Sequence, residues 1–143
     1  MKKLFLLVVI AAVGFAAWDR FDPVDGFWQT SVSGDGTVAG AFRNHASGVQ
    51  VSGKGVVTRI LPDDSDGSRH QRFILKLPSG QTLLVAHNID LAPRIASLRQ
   101  GDSVEFNGEY EWNSKGGIIH WTHHDPEGRH AAGWLKHYGN TYE

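Results

Sequence analysis

The chain has 143 residues, enough for one compact domain and too few for two ordinary ones. Its 17 glycines and 41% hydrophobic content suit short strands and frequent turns better than long helices. With 14 basic and 15 acidic residues the net charge is −1, which excludes the global cationic surface of a nonspecific DNA coat and leaves nucleic-acid contact to a local patch. The absence of cysteine excludes a disulfide scaffold, a thiolate metal site and a lipid-modified N-terminal Cys.

The N-terminus reads as an address. Met1-Lys2-Lys3 supplies positive charge, and Leu4 to Trp18 is an unbroken apolar run of 15 residues, shorter than the roughly 18 expected of a spanning helix. Gly14-Phe15-Ala16 offers a small-x-small cleavage site. Residues 1–18 are therefore expected to be a secretory signal, or an N-terminal anchor if uncleaved. The expected location is the periplasm or beyond, with no stable membrane insertion after cleavage.

Residues 19–47 read as a lead-in, with Pro23 and the Gly/Ser-rich piece Ser31 to Gly36. A short helix is expected over Val38 to Ala46, with Thr37 as N-cap and Phe42 facing inward. From Gly48 the pattern turns to β. A long first strand reaches Leu61, and Gly53 and Gly55 inside it suggest a bulge or sharp bend. Pro62 to Gly67 is a polar loop, Gln71 to Leu77 a second strand, Pro78-Ser79-Gly80-Gln81 a tight turn, and Thr82 to His87 a third strand. Asn88 to Gln100, with Pro93, reads as a short helix or an irregular crossover. In the fourth strand, Ser103 to Trp112, Val104, Phe106, Gly108 and Tyr110 alternate with Glu105, Asn107, Glu109 and Glu111. Asn113 to Gly116 turns the chain into a fifth strand, Gly117 to His123. The tail reads as a hairpin, Trp134 to Tyr138 and Thr141-Tyr142 around a Gly139-Asn140 turn. Three strands, a crossover and two strands is the order of an all-β, five-stranded Greek-key barrel of OB type over residues 48–143, with small α content and a C-terminal hairpin. The alternative is another small barrel with the same strand count.

Strand polarity gathers the chemistry. If the first strand runs up, Arg69 and His70 lie at the top of the second. His87 and Asn88 then lie at the top of the third, and His120, His123, His124 and Asp125 at the top of the fifth, its neighbour. Eight histidines occur in the chain, and three of them fall in this last segment. Imidazoles with a carboxylate suit a divalent metal such as Zn²⁺, with His120, His123 and His124 as candidate ligands and His130 following. Such a metal would activate water, with His120, His123, His124 and Asp125 as catalytic candidates, and Asp90 or Glu109 as further carboxylates. Bland readings stand beside this. Any one of these histidines suits a hydrogen-bonded surface position, and one of His120 and Trp121 should face the core, since neighbours on a strand alternate. Asp125-Pro126-Glu127-Gly128 is also a good type I turn, which Asp125 would serve. Arg69, His70 and Arg72 form the second candidate group, as anion grips or as solvated edge charges. Trp112, Trp121, Tyr110 and Trp134 are candidate base-stacking platforms or core residues.

Four motifs, Gly67-Ser68-Arg69-His70-Gln71-Arg72-Phe73, Ala86 to Arg94, Gly108 to Asn113 and His120 to Pro126, together resemble a family of small exported bacterial proteins labelled as a domain of unknown function. The resemblance covers about Gly48 to Tyr142 and leaves the lead-in before Val38 outside. It implies an OB-like barrel and little about activity, with a faint association with DNA binding. The first functional expectation is an exported OB-fold module that binds nucleic acid, single-stranded DNA foremost, or another polyanion through Arg69, His70, Arg72, His87, Asn88, Trp112 and Trp121. The second is a metal-dependent nuclease or phosphodiesterase. The third is a homo-oligomer that senses pH or bridges through metal.

Overall fold

A computed structural model describes residues 34–143; the expected signal and most of the lead-in lie outside them. The elements are α1 (Gly34–Arg43), β1 (Val49–Asp64), β2 (His70–Lys76), β3 (Thr82–Asn88), β4 (Ser103–Glu111), β5 (Ile118–His120), β6 (Trp134–His137) and β7 (Asn140–Tyr142). The strands form one sheet in the order β1-β2-β3-β5-β4-β6-β7, and β1 also pairs with β4, closing β1-β2-β3-β5-β4 into a ring. All pairings are antiparallel except β3 with β5. The protein is an all-β, OB-like barrel extended by a hairpin on the β4 edge. Among the described residues no helix is long and apolar enough to cross a membrane.

Strand alternation sets the inside of the barrel. Phe73 and Leu75 on β2, Leu83 and Val85 on β3, Val104, Phe106 and Tyr110 on β4, and Ile119 on β5 are all essentially inaccessible. Tyr110 is therefore core, its hydroxyl donating to the Gly116 carbonyl at 2.9 Å, and it is not a stacking platform. Burial of a single aromatic of this size contributes roughly 3–5 kcal/mol against truncation to alanine.

β1 is long enough to serve two partners. Its first half pairs with β4 in unbroken register from Val49 to Val56, and its second half pairs with β2. The irregularities fall between Val57 and Arg59 and between Leu61 and Asp64, not at Gly53 or Gly55. The two glycines meet a packing demand instead. A Cβ on Gly53 would stand 2.8 Å from the Phe106 ring, and one on Gly55 3.0 Å from the Lys76 carbonyl. Pro62, Asp63 and Asp64, expected in a loop, continue the strand.

Three other boundaries differ from expectation. α1 begins at Gly34, so Thr37 lies within the helix and is not its N-cap. Val38 and Ala41 join the barrel core, which makes α1 part of the domain. The helix ends where His45 takes a positive φ of 50° and the Ala46 N–H donates to the Ala41 carbonyl at 2.9 Å. The tail hairpin turns at Tyr138-Gly139, both with positive φ (47° and 78°), in the manner of a type I′ turn; Asn140 already pairs with His137. β5 stops at His120 because Trp121 has φ 54°, which ends the pleat.

The crossover from Ile89 to Gly101 contains no helix but is firmly held. Ala92, Ile95 and Leu98 are buried, and the buried Gln71 amide clamps the Ile95 backbone, donating to its carbonyl and accepting from its N–H at 2.9 Å each. Gln71→Ala removes both partners from a buried peptide and is expected to cost about 2 kcal/mol, read as a lower urea midpoint at unchanged m-value. A second anchor sits at the opposite end of the crossover. Asp102 accepts from His137 Nε2 at 2.8 Å, from the Tyr138 hydroxyl at 2.8 Å and from the Arg99 N–H at 2.9 Å. These bonds, that from His137 foremost, hold its carboxyl below the usual carboxylate range.

Candidate functional site

The upper end of the barrel brings three segments together. Register places His70 opposite Asn88 and Gln71 opposite His87, while β5 runs parallel beside β3 with Val85 at the level of Ile119. Ser68, His70, Ala86, Asn88, Leu91, His120, Trp121 and His123 line a cleft of about 200 Å³ there. His70 donates from Nδ1 to the Ser68 carbonyl at 2.8 Å, which leaves Nε2 with the lone pair of the neutral ring. Asn88 uses its Oδ1 to accept the Asp90 N–H at 2.9 Å, shaping the turn that leaves β3.

Other predicted residues are committed elsewhere. Arg69 is tied to Asp90 by its backbone N–H and its Nε, each at 2.8 Å, and these bonds lower the Asp90 carboxyl from its ordinary value. Asp125 closes the turn after β5: its carboxylate accepts the N–H groups of Glu127, Arg129 and His130 at 2.8–2.9 Å. Desolvation pushes that carboxyl up, but the His130 and Arg129 N–H groups and nearby positive charge more than offset it, and it stays ionised. His124 is exposed, and its carbonyl accepts from His123 Nδ1 at 2.6 Å.

His87 is fully buried below the cleft. Its Nε2–H donates to the Pro93 carbonyl at 2.9 Å, and its Nδ1 accepts from the Thr122 hydroxyl at 2.7 Å, the tautomer of a neutral ring. Burial, reinforced by His123 and His70, lowers its pKa to about 4 against the opposing pull of the Pro93 hydrogen bond. It is a structural histidine that joins β3, the crossover and the segment after β5.

Neither His120 nor Trp121 enters the core: His120 faces outward by alternation after the buried Ile119, and the left-handed Trp121 then interrupts that alternation, so both are half-buried. The buried neighbours are Ile119, Thr122 and His123. The Trp121 ring stacks on the His130 ring at 3.8 Å and 12°, and the His123 ring lies 5.3 Å from it, tilted by 37°. Trp112 is covered by His45 at 4.1 Å and by Phe42, and Lys136 stands over Trp134 at 4.4 Å.

The expected ligand trio of His120, His123 and His124 does not form a cluster. Among the described residues, the group of His and carboxylate side chains whose ligand atoms lie within 4.8 Å of one another is Glu109, Glu111 and His120. β4 pairs Glu109 with His120 directly, and Glu111, two residues on, shares the outer face. His120 Nε2 stands 3.1 Å from Glu111 Oε2 and 3.7 Å from Glu109 Oε1, and His130 Nδ1 stands 3.2 Å from Glu109 Oε2. Glu111 was not among the residues singled out in the sequence, and His130 was noted only as following the histidine trio. The Asn113–Gly117 turn sets the register that pairs Glu109 with His120, so counting back through it finds the two glutamates. His130 has no such local signal.

The geometry defines an OB-like barrel with a polar, imidazole-lined cleft at one end. The family model described as a protein of unknown function (DUF3465) matches residues 25–143, and the chain belongs to that family. The match takes in the part of the lead-in from residue 25, which the motif resemblance left outside. No curated protein matches the chain.

Proposed function

We propose that the protein is an exported binding module that holds single-stranded nucleic acid or another polyanion on the outer face of β2, β3 and β5. The observation carrying this reading is the continuity of that face. A second hollow, of about 360 Å³ and lined in part by Arg59, Leu61, Ile74, Leu84 and Lys115, opens beside Thr82 and Leu84, and the cleft opens beside Ala86 and Asn88 on the same strand. From Thr82 to Asn88 the track runs about 20 Å at strand rise. Arg72, opposite Ala86, stands between the two hollows, its Nε fixed on the Pro62 carbonyl at 3.1 Å. The β2–β3 face is where OB folds take oligonucleotides. Among the described residues Trp112, Trp121 and Trp134 each already have a ring or cation partner, so the grip falls on phosphates more than on bases, which fits a sequence-tolerant ligand.

Binding of a labelled single-stranded oligonucleotide across a salt series tests this. Affinity is expected to fall with salt, and the triple variant Arg59→Ala, Arg72→Ala, Lys115→Ala should flatten the log–log slope by about 2, near 0.7 per lost phosphate contact. Salt-independent binding, or none, would refute it. Cleavage of the same strand is the second reading, favoured by the carboxylate–imidazole group beside the cleft. A denaturing gel of the mixture separates retention from cleavage.

A further inference from the structure

We infer that Glu109, Glu111 and His120 form a binding site for one divalent transition-metal ion of the Zn²⁺ class beside the upper cleft. The site differs from the histidine trio that the sequence suggests, and it does not depend on the polyanion reading.

The first argument is the donor set. Two carboxylates and one imidazole are ligands that borderline first-row cations take, and a set without thiolate suits a chain lacking cysteine. The second is the state of His120 Nε2. That atom is sealed from solvent and makes no hydrogen bond, although carboxylate oxygens stand 3.1 and 3.7 Å away. A sealed ring nitrogen beside two carboxylates that bonds neither lacks a partner, and a cation within reach of all three ligand atoms would supply one. The third is the support around the ligands. Glu109 and His120 are fixed by backbone pairing on adjacent strands, and His130, held by its stack on Trp121 and its N–H on Asp125, stands 3.2 Å from the second oxygen of Glu109 as an outer partner. Rigid strand positions hold a metal geometry better than loops do.

The competing arrangement uses the same atoms without metal: His120 and His130 protonated, each paired to a glutamate. Partly exposed pairs of that kind contribute little. The cation also answers an electrostatic question. Two glutamates side by side repel each other, and a bound dication neutralises their two negative charges. His120 belongs to both groups, so a metal there would face the cleft.

The test uses the full chain, stripped with chelator and desalted, and titrated with Zn²⁺ against a chromophoric zinc indicator near neutral pH. One equivalent per chain is expected. Glu111→Gln, Glu109→Gln and His120→Ala should each weaken binding at least tenfold, since loss of even an outer-shell partner costs about 10–100-fold. His124→Ala, exposed and outside the group, should bind as wild type. The two Glu→Gln variants are isosteric, and thermal melts in chelator report whether each variant is folded. Uptake well below one equivalent by the wild type would overturn the site. So would wild-type affinity in folded Glu109→Gln and Glu111→Gln, or an equal loss in His124→Ala.

Discussion

Gly133→Ala is expected to destabilise the domain by roughly 3 kcal/mol or more and to detach the segment between β5 and β6, at the severe end of overpacking costs. A Cβ at this buried position would stand 1.9 Å from the Trp121 carbonyl oxygen, 2.6 Å from the Asn107 carbonyl oxygen and 2.9 Å from the Thr122 Cα. All three are backbone atoms, so no rotamer relieves the contact. The Gly133 N–H also donates to the His123 carbonyl at 3.0 Å, holding the returning chain against β4 before Trp134 pairs with Asn107. The substitution would therefore move His130 off Trp121 and Glu109 as well as loosen β6. Gly128→Ala is the control: φ is 65°, but nothing lies within 4 Å, so only the backbone penalty of about 1 kcal/mol applies. Urea midpoints of the two variants give the comparison. A Gly133→Ala protein as stable as Gly128→Ala would show that the close approach of three backbone segments is not what this glycine provides.

Acid sensitivity between pH 6.5 and 4 is the second expected result, and it should trace to His87. The folded pKa of about 4 lies below the ordinary value of 6.5, because burial disfavours the charged ring. Above pH 6.5 both folded and unfolded states hold it neutral and stability is complete. As pH falls toward 4 the unfolded chain takes up a proton that the folded chain refuses, and stability is lost by up to about 1.4 kcal/mol per pH unit, about 3 kcal/mol in all. Below pH 4 this loss is complete. Asp90, Asp102 and Asp125, whose carboxyls are lowered, contribute stability that is present above their ordinary range near 3.8 and is lost below it, a separate and more acidic window. The measurement is unfolding free energy at pH 7 and pH 4.5 for the wild type and His87→Gln, whose amide does not titrate. Equal losses in the two proteins would rule His87 out as the cause.

Both results turn on positions where local sequence and tertiary contact say different things. Alternation in β4 reads plainly, and Val104, Phe106 and Tyr110 face the core as it requires. The barrel order follows from counting strands, and the meeting of His70, Asn88 and His120 at one end follows from strand direction. Trp121 is different. Nothing in His120-Trp121-Thr122 announces a left-handed residue, since a bulky side chain disfavours that conformation. It is held by rings at positions 123 and 130, and by the close passage of Gly133. That single dihedral keeps Trp121 out of the core, where alternation after the outward-facing His120 would have placed it.

The sequence by itself determined most of the strands and their inward faces, because strand alternation is a short-range property, and strand count and direction indicated the barrel order and the end where polar side chains gather. Only the tertiary structure decided which of those side chains remain available. Arg69 is taken by Asp90, Asp125 by three backbone N–H groups, His87 by Thr122 and Pro93, and Trp112 by the helix that precedes the barrel. Each of those partners is fixed by how separate segments pack, and a buried polar group takes the partner that packing brings to it.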